Sequence, residues 1–260
     1  MNDDRTGLLP EDGLAGTLVA RVWTSAAPAG PAVVVLRPEG VFDICRTFPT
    51  MSTLLDAQQP AEAARTAPGQ RLCAVEELLG NSRPGTRDPA RPFLLAPCDL
   101  QVVKAAGVTF AASMVERVIE EQARGDASRA QELRGKVQAL IGENLAAVRP
   151  GSDKAMALKA LLQQQGLWSQ YLEVGIGPDA EVFTKAPVLA SVGSGEEIGI
   201  RSDSAWNNPE PEVVLAVNGR GDIVGATLGN DVNLRDIEGR SALLLGKAKD
   251  NNASAALGPF

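Results

Sequence analysis

The chain has 260 residues, 44% of them hydrophobic, 22% charged and 4% aromatic, with a formal net charge of −7. That apolar content supports one large or two smaller packed domains, while an acidic chain with no Lys/Arg patch interleaved with aromatics argues against a nucleic-acid partner. There is no histidine at all, which removes the Ser-His-Asp triad, the Cys-His pair, His-ligated zinc and the usual neutral-pH proton shuttle.

In chain order, MNDDRTGLLPEDG (1–13) is polar and acidic, with no basic segment ahead of an apolar one, and does not read as a secretory leader. No apolar run is long enough to span a bilayer, so the expectation is a cytoplasmic protein with no membrane partner. Cys45, Cys73 and Cys98 are scattered without metal spacing, which suits reduced thiols buried as small hydrophobes. TLVARVWT and AVVVLRPEGVFDI, between residues 16 and 45, predict short strands around the turn-rich SAAPAGP. Residues 50–80 mix short helical patterns with breakers, NSRPGTRDPARP (81–92) has linker composition, and FLLAPCDLQVVKAAGVTF returns to strand.

From Ala111 to about Val148 the pattern turns helical, with Met114, Val115, Val118 and Ile119 at spacings of three and four. A break at 125–128 precedes a second predicted helix, about Arg129 to Leu140, and Pro150-Gly151-Ser152-Asp153 resembles a stop and a new N-cap for a third, Lys154 to Gln164. From Trp168 onward the texture reads as short β-strands punctuated by Gly, Asp and Asn, with Asn218-Gly219-Arg220-Gly221-Asp222 as a hairpin turn. SVGSGEE lacks the lysine and the following helix of a phosphate loop and is not read as one.

The chemistry concentrates in NNPEPEVVLAVN (207–218). In a strand, side chains at i and i+2 share a face about 6–7 Å apart, so Glu210 and Glu212 point the same way. Holding two carboxylates together out of bulk water is costly unless a cation neutralises them. Across the predicted hairpin, an antiparallel partner strand can return Asp231 to that face. Three oxygen donors without histidine or thiolate suit a hard cation, Mg2+, Mn2+ or Ca2+. The alternative is a solvent-facing strand, although the apolar run 213–217 suggests burial on both faces; the pattern alone leaves both open.

PEPEVVLAVNGRGDIVGATLGNDVNLRDIEG resembles the signature of the fumarylacetoacetate hydrolase superfamily, an E-x-E pair followed by an N-D-x-x-x-R-D stretch. GKAKDNNASAALGP is similar to that family's A-K-x-x-D-x-x-x-x-x-G-P segment, and DAEVFTKA to its strand ending in F-x-K. The resemblance runs from about Leu100 to Phe260 and fits the first hundred residues loosely. It implies an α+β fold: a mixed β-roll over 96–260 carrying a helical insertion at about 111–165, beside a small N-terminal α/β domain over 1–95. It also implies Glu210, Glu212 and Asp231 as ligands of Mg2+ (Mn2+ or Ca2+ as alternatives), a 2-oxo acid substrate, and a homodimer. Lys185 and Lys249 fall on matching lysine positions, and a metal-stabilised enolate is the implied intermediate.

The hydrolase members carry a G-x-N-Y-x-x-H-x-x-E segment; here GVTFAASMVE retains Glu116 but has Ser113 in the histidine's place. GVTF, AEVFTKA, SAWNNPEPE and NDVNLRDIEG look most like the 2-keto-3-deoxy-pentonate dehydratase branch, which implies dehydration to 2-oxoglutarate semialdehyde. A carboxylate base and a lysine serve that chemistry without histidine, and Glu181 and Glu116 are the candidate bases. Arg235 and Asp236 are expected to hold their loop rather than touch substrate. In the family, Gly258-Pro259-Phe260 falls mid-domain, so the resemblance also implies a chain short of the strands that complete the roll. The competing expectations are an acylpyruvate-type hydrolase or an inactive remnant.

Overall fold

The computed structural model describes residues 7–26, 28–85, 87–107, 118–119, 128, 131–136, 148–164 and 166–260. It divides into two compact units, residues 1–103 with 184–260, and residues 104–183.

In the first unit, β1 (Val19–Thr24), β2 (Gly30–Arg37), β3 (Gly40–Asp43), β4 (Gln70–Cys73) and β5 (Phe93–Leu95) form one sheet in the order β4-β3-β2-β1-β5. Every pairing is antiparallel, as the short links between β1, β2 and β3 require, since a parallel pair needs a long crossover. The unbroken AVVVL run is explained by cover on both faces. Ala32, Val34 and Leu36 pack with Val75, Leu78 and Leu79 of α3 (Val75–Asn81). Val33 and Val35 pack with Met51 and Leu54 of α1 (Met51–Leu55) and Ala64 of α2 (Pro60–Thr66). The strand QRLC lies inside a stretch expected to mix helix and breakers; its pairing with β3 decides its conformation.

Asp99 ties the end of this sheet to α1. Its buried carboxylate accepts Met51 N at 2.5 Å, Ser52 N at 3.2 Å, Ser52 Oγ at 2.9 Å and Leu100 N at 2.7 Å. Burial alone would push its carboxyl up, but the hydrogen bonds from Leu100, Met51 and Ser52 together outweigh it and hold the group below the usual carboxylate range. Because the folded value lies below the unfolded one of about 3.9, this stabilisation is present above that pH and is lost as pH falls through the folded value. Asp99→Asn is expected to cost roughly 1–3 kcal/mol at pH 7, because with the amide oxygen in the place of Oδ1 the Met51 N–H donor is left facing the amide nitrogen. Urea unfolding should show the gap between variant and parent narrowing towards pH 3.

The remainder of the first unit holds a second sheet, β12-β10-β9, of β9 (Pro211–Val217), β10 (Ile223–Asp231) and β12 (Ala255–Gly258). Asn218–Asp222 makes the expected turn between β9 and β10, with Gly221 at φ +87°. That turn is anchored on α1: Gly219 N donates to Asp56 Oδ1 at 2.7 Å and the Arg220 guanidinium to the Asp56 carbonyl at 3.0 Å. The expectation that 213–217 is buried on both faces does not hold. Val213 is 71% exposed, and Leu215, Val217, Ile223 and Leu228 lie open with it. β9 is an edge strand, and the face alternate to the glutamates is uncovered, so period-2 alternation turns Val213, Leu215 and Val217 outward.

In the second unit, α4 (Asp153–Gln164) matches the third predicted helix. α5 (Gln170–Ile176) corrects the reading of strand from Trp168 onward. Leu172 and Ile176, four apart, close a helical core with Ala155, Leu158 and Leu162 of α4 and with Val118, Ile119 and Val148. The first two predicted helices fall almost wholly outside the described residues. β6 (Val103–Ala106) and β7 (Val182–Ala186), whose residues Val103 and Thr184–Ala186 belong to the first unit, form a two-stranded ribbon. Among the described residues no helix is long and apolar enough to cross a membrane.

Candidate functional site

The β9–β10 register returns Asp231 to the face of the two glutamates. Glu212 stands opposite Gly229 and Pro211 opposite Asn230, and Asp231 N donates to the Glu210 carbonyl at 2.9 Å, continuing the ladder. Glu210, Glu212 and Asp231 thus share one face, as i, i+2 spacing and antiparallel pairing require. A Cβ at position 229 would stand 2.6 Å from Val214 Cγ2 and 3.1 Å from Leu257 Cδ2, so the close strand approach beside Glu212 needs glycine.

Two lysines enter the cluster from other elements of the same unit. Lys185, near the end of β7, is 2% exposed; its Nζ donates to the Val232 carbonyl at 2.7 Å and to the Lys249 carbonyl, and lies 3.0 Å from Asp231 Oδ1. Lys249, the last residue of α7 (Leu245–Lys249), is 3% exposed and donates to Asp231 Oδ2 at 3.0 Å and to Glu210 Oε2. Ser254 Oγ donates to the Lys249 carbonyl at 2.8 Å, fixing the turn after α7. Asp231, 8% exposed, therefore has one ammonium group on each oxygen.

The titration behaviour follows from this packing. Burial pushes the Lys185 ammonium down, opposed by Asp231. For Lys249 burial acts the same way, but Asp231 and Glu210 together overcome it and hold the group above the ordinary lysine range. Desolvation, then repulsion from Asp231 and Glu210, raises the Glu212 carboxyl. Among these five side chains, three carboxylates face two ammonium groups.

The site has further members that no motif singled out. β11 (Asn233–Leu234) pairs with β8 (Asn207–Asn208) and leads into α6 (Arg235–Glu238). Asn233, with no exposed surface, donates through Nδ2 to Glu210 Oε1 at 3.0 Å and to Glu238 Oε2 at 2.5 Å. Its position two residues after Asp231 in a strand was the available signal, since i, i+2 residues share a face. Asp236 accepts Ser204 Oγ at 2.8 Å and Ala205 N at 3.0 Å, so it holds its loop as expected.

The two candidate bases are placed differently. Glu181 belongs to the second unit, where its carbonyl accepts Gly107 N at 3.0 Å and its Oε2 stands 2.5 Å from where a Cβ at 107 would be. Glu116 lies outside the described residues. Among the described residues no three His, Cys, Asp or Glu side chains converge as a ready-made metal cage, and Lys249 donates to both Glu210 and Asp231.

No family model matches the chain. A stretch of 97 residues is 40% identical to a probable 2-keto-3-deoxyxylonate dehydratase of Haloferax volcanii, covering 37% of this chain and 33% of that protein. Another of 79 residues is 42% identical to the 2-dehydro-3-deoxy-D-arabinonate dehydratase of Saccharolobus solfataricus, covering 30% and 26%. The fold is that of a solved 2-keto-3-deoxy-D-arabinonate dehydratase complexed with magnesium and 2,5-dioxopentanoate, with a TM-score of 0.57, 19% identity, 93% of this chain covered and 64% of the other. The matched stretches thus span about a third or less of the curated relatives, and the chain spans under two thirds of the solved one. Over those stretches the chain is similar in sequence to 2-keto-3-deoxy-pentonate dehydratases, and it shares the α+β fold of the solved one.

Proposed function

We propose that this chain is a Mg2+-dependent hydro-lyase acting on a 2-keto-3-deoxy sugar acid, with Glu210, Glu212 and Asp231 as the cation's ligands. The observation that carries the reading is the set of buried Asp231, Lys185 and Lys249 with half-buried Glu210, brought together from four separate stretches of the chain. The donors suit the ion: all are hard oxygens, and among the described residues the buried Asp231 Oδ1 has no hydrogen bond of proper geometry although Lys185 lies beside it. When bound, a divalent cation supplies Lewis-acid polarisation of a chelating 2-oxo acid.

The chain's own residues do the rest. Lys249, held by two carboxylates, is the charge that must yield Glu210 and Asp231 to the cation; it then offers its ammonium group to the substrate's oxygens. Lys185 is locked by two carbonyls and keeps Asp231 oriented. Dehydration moves the C3 proton to a carboxylate base and releases the C4 hydroxyl, with a proton, as water, leaving a 3-enoate that keeps its C5 hydroxyl; loss of a C5 proton and return of a proton to C3 then give the C4–C5 enol, which tautomerises to the aldehyde of 2-oxoglutarate semialdehyde. For that base the sequence offers Glu181 and Glu116. A glutamine at the residue that acts should lower kcat about 10²- to 10⁴-fold, and glutamine at the other should leave it within a few-fold.

The first test is a thermal melt in EDTA, in Mg2+, and in Mg2+ plus pyruvate, beside Glu210→Gln. A ligand at 100 times its Kd adds about 2.7 kcal/mol to the native state. A rise with Mg2+, enlarged by pyruvate and absent in the variant, is the expected result. A cooperative melt indifferent to all three sinks the proposal.

A further inference from the structure

We propose that Asn233, backed by Glu238, is a positioning residue that fixes which oxygen of Glu210 is presented to the cation; this rests on the metal reading above. A primary amide has two N–H donors, and both are spent here, one on Glu210 Oε1 at 3.0 Å and one on Glu238 Oε2 at 2.5 Å. Among the described residues, the carbonyl side of the same amide is buried without a hydrogen-bond partner. A buried unsatisfied acceptor is a cost to folding, and an apolar side chain of similar size would avoid it. What the residue gains must therefore come from Nδ2.

That gain is orientation. With Oε1 held by Asn233 and Oε2 turned to Lys249, the two oxygens of Glu210 are no longer interchangeable. The Glu210 backbone is fixed as well, its N–H donating to Asn230 Oδ1 at 3.0 Å. Glu238 reaches Glu210 only by way of the amide: its carboxylate polarises the Asn233 N–H donors and holds the amide plane. Asn233 itself is set by the β11–β8 ladder opposite Asn208, and Glu238 by the single turn of α6. Without the amide, Glu210 is free to give both oxygens to Lys249, an ion pair that competes directly with the cation.

The test measures Mn2+ affinity of the full chain by electron paramagnetic resonance of the free ion, needing no turnover. The proteins are the parent, Glu210→Gln, Asn233→Leu, Glu238→Ala and the double variant Asn233→Leu/Glu238→Ala, each first shown to melt cooperatively in EDTA. Outer-shell partners of metal ligands typically matter by about 10- to 100-fold, and a loss of that size is expected for Asn233→Leu. Glu238→Ala should lose less, and the double variant should bind no more weakly than Asn233→Leu, since Glu238 acts through the amide. Parent-like binding in Asn233→Leu, or fully additive losses in the double variant, overturns the proposal. If Asn233→Leu does not fold, Glu238→Ala decides, and parent-like affinity there overturns it. Parent and Glu210→Gln both failing to bind would remove the metal reading itself; Glu210→Gln failing while Asn233→Leu binds normally would remove only this inference.

Discussion

Asp231→Ala is expected to destabilise the chain by about 3–5 kcal/mol even in EDTA. The reason is the pair of buried ammonium groups that this one carboxylate serves, Lys185 on Oδ1 and Lys249 on Oδ2. Removing it leaves Lys185, at 2% exposure, with only two carbonyls, and a buried charge stripped of its partner is far more costly than the intact pair was worth. Burial already pushes the Lys185 ammonium down. Without Asp231 that depression deepens, so the variant should recover stability as pH rises and Lys185 loses its proton. Chemical denaturation at pH 7 and pH 9.5 checks both the size and the sign. A second-site Lys185→Met should restore part of the loss, and an unchanged midpoint in Asp231→Ala would mean the ammonium groups are not held as described.

Lys249→Met tests the opposite half of the cluster and should separate stability from metal response. In EDTA it leaves Glu210 and Asp231 facing each other without the ammonium group between them, and the melting midpoint should fall. Added Mg2+ should then raise the midpoint by more than it does in the parent, because the cation no longer has to displace a lysine. On the proposed function, turnover should drop about 10²- to 10⁴-fold despite the tighter metal binding, since a charge that touches substrate is gone. In the parent, the raised value of Lys249 means that its contribution persists below the ordinary lysine value of about 10.4 and is lost only as pH passes its folded value. A Mg2+ response in Lys249→Met equal to or smaller than the parent's would show that Lys249 and the cation do not compete for these carboxylates.

Much of the site was legible because strand chemistry is periodic. Glu210 and Glu212 had to share a face, and the turn chemistry of Asn218–Asp222 brought β10 back so that Asp231 met Glu210. Asn233 was equally within reach of that rule, two residues after Asp231, but carries no charge to draw attention to it. The helix at Gln170–Ile176 was hidden by its glycine-flanked, apolar texture, which periodicity alone cannot tell from a strand; its contacts with α4 decide it. The exposed side of β9 was misread for a related reason, since VVLAV is the pattern of a strand covered on both faces and sequence does not say whether a cover exists.

What the sequence by itself determined is local and chemical: the absence of histidine, the hard oxygen donors at strand spacing, and the hairpin that closes them together. Tertiary structure alone decided how charge is settled in the site. Lys185 and Lys249 lie 64 residues apart in the chain, on a strand and at the end of a short helix, and nothing local requires their ammonium groups to meet the two oxygens of one aspartate. Burial makes that meeting obligatory, because a carboxylate or an ammonium group taken out of water must find its counter-charge wherever the fold brings one.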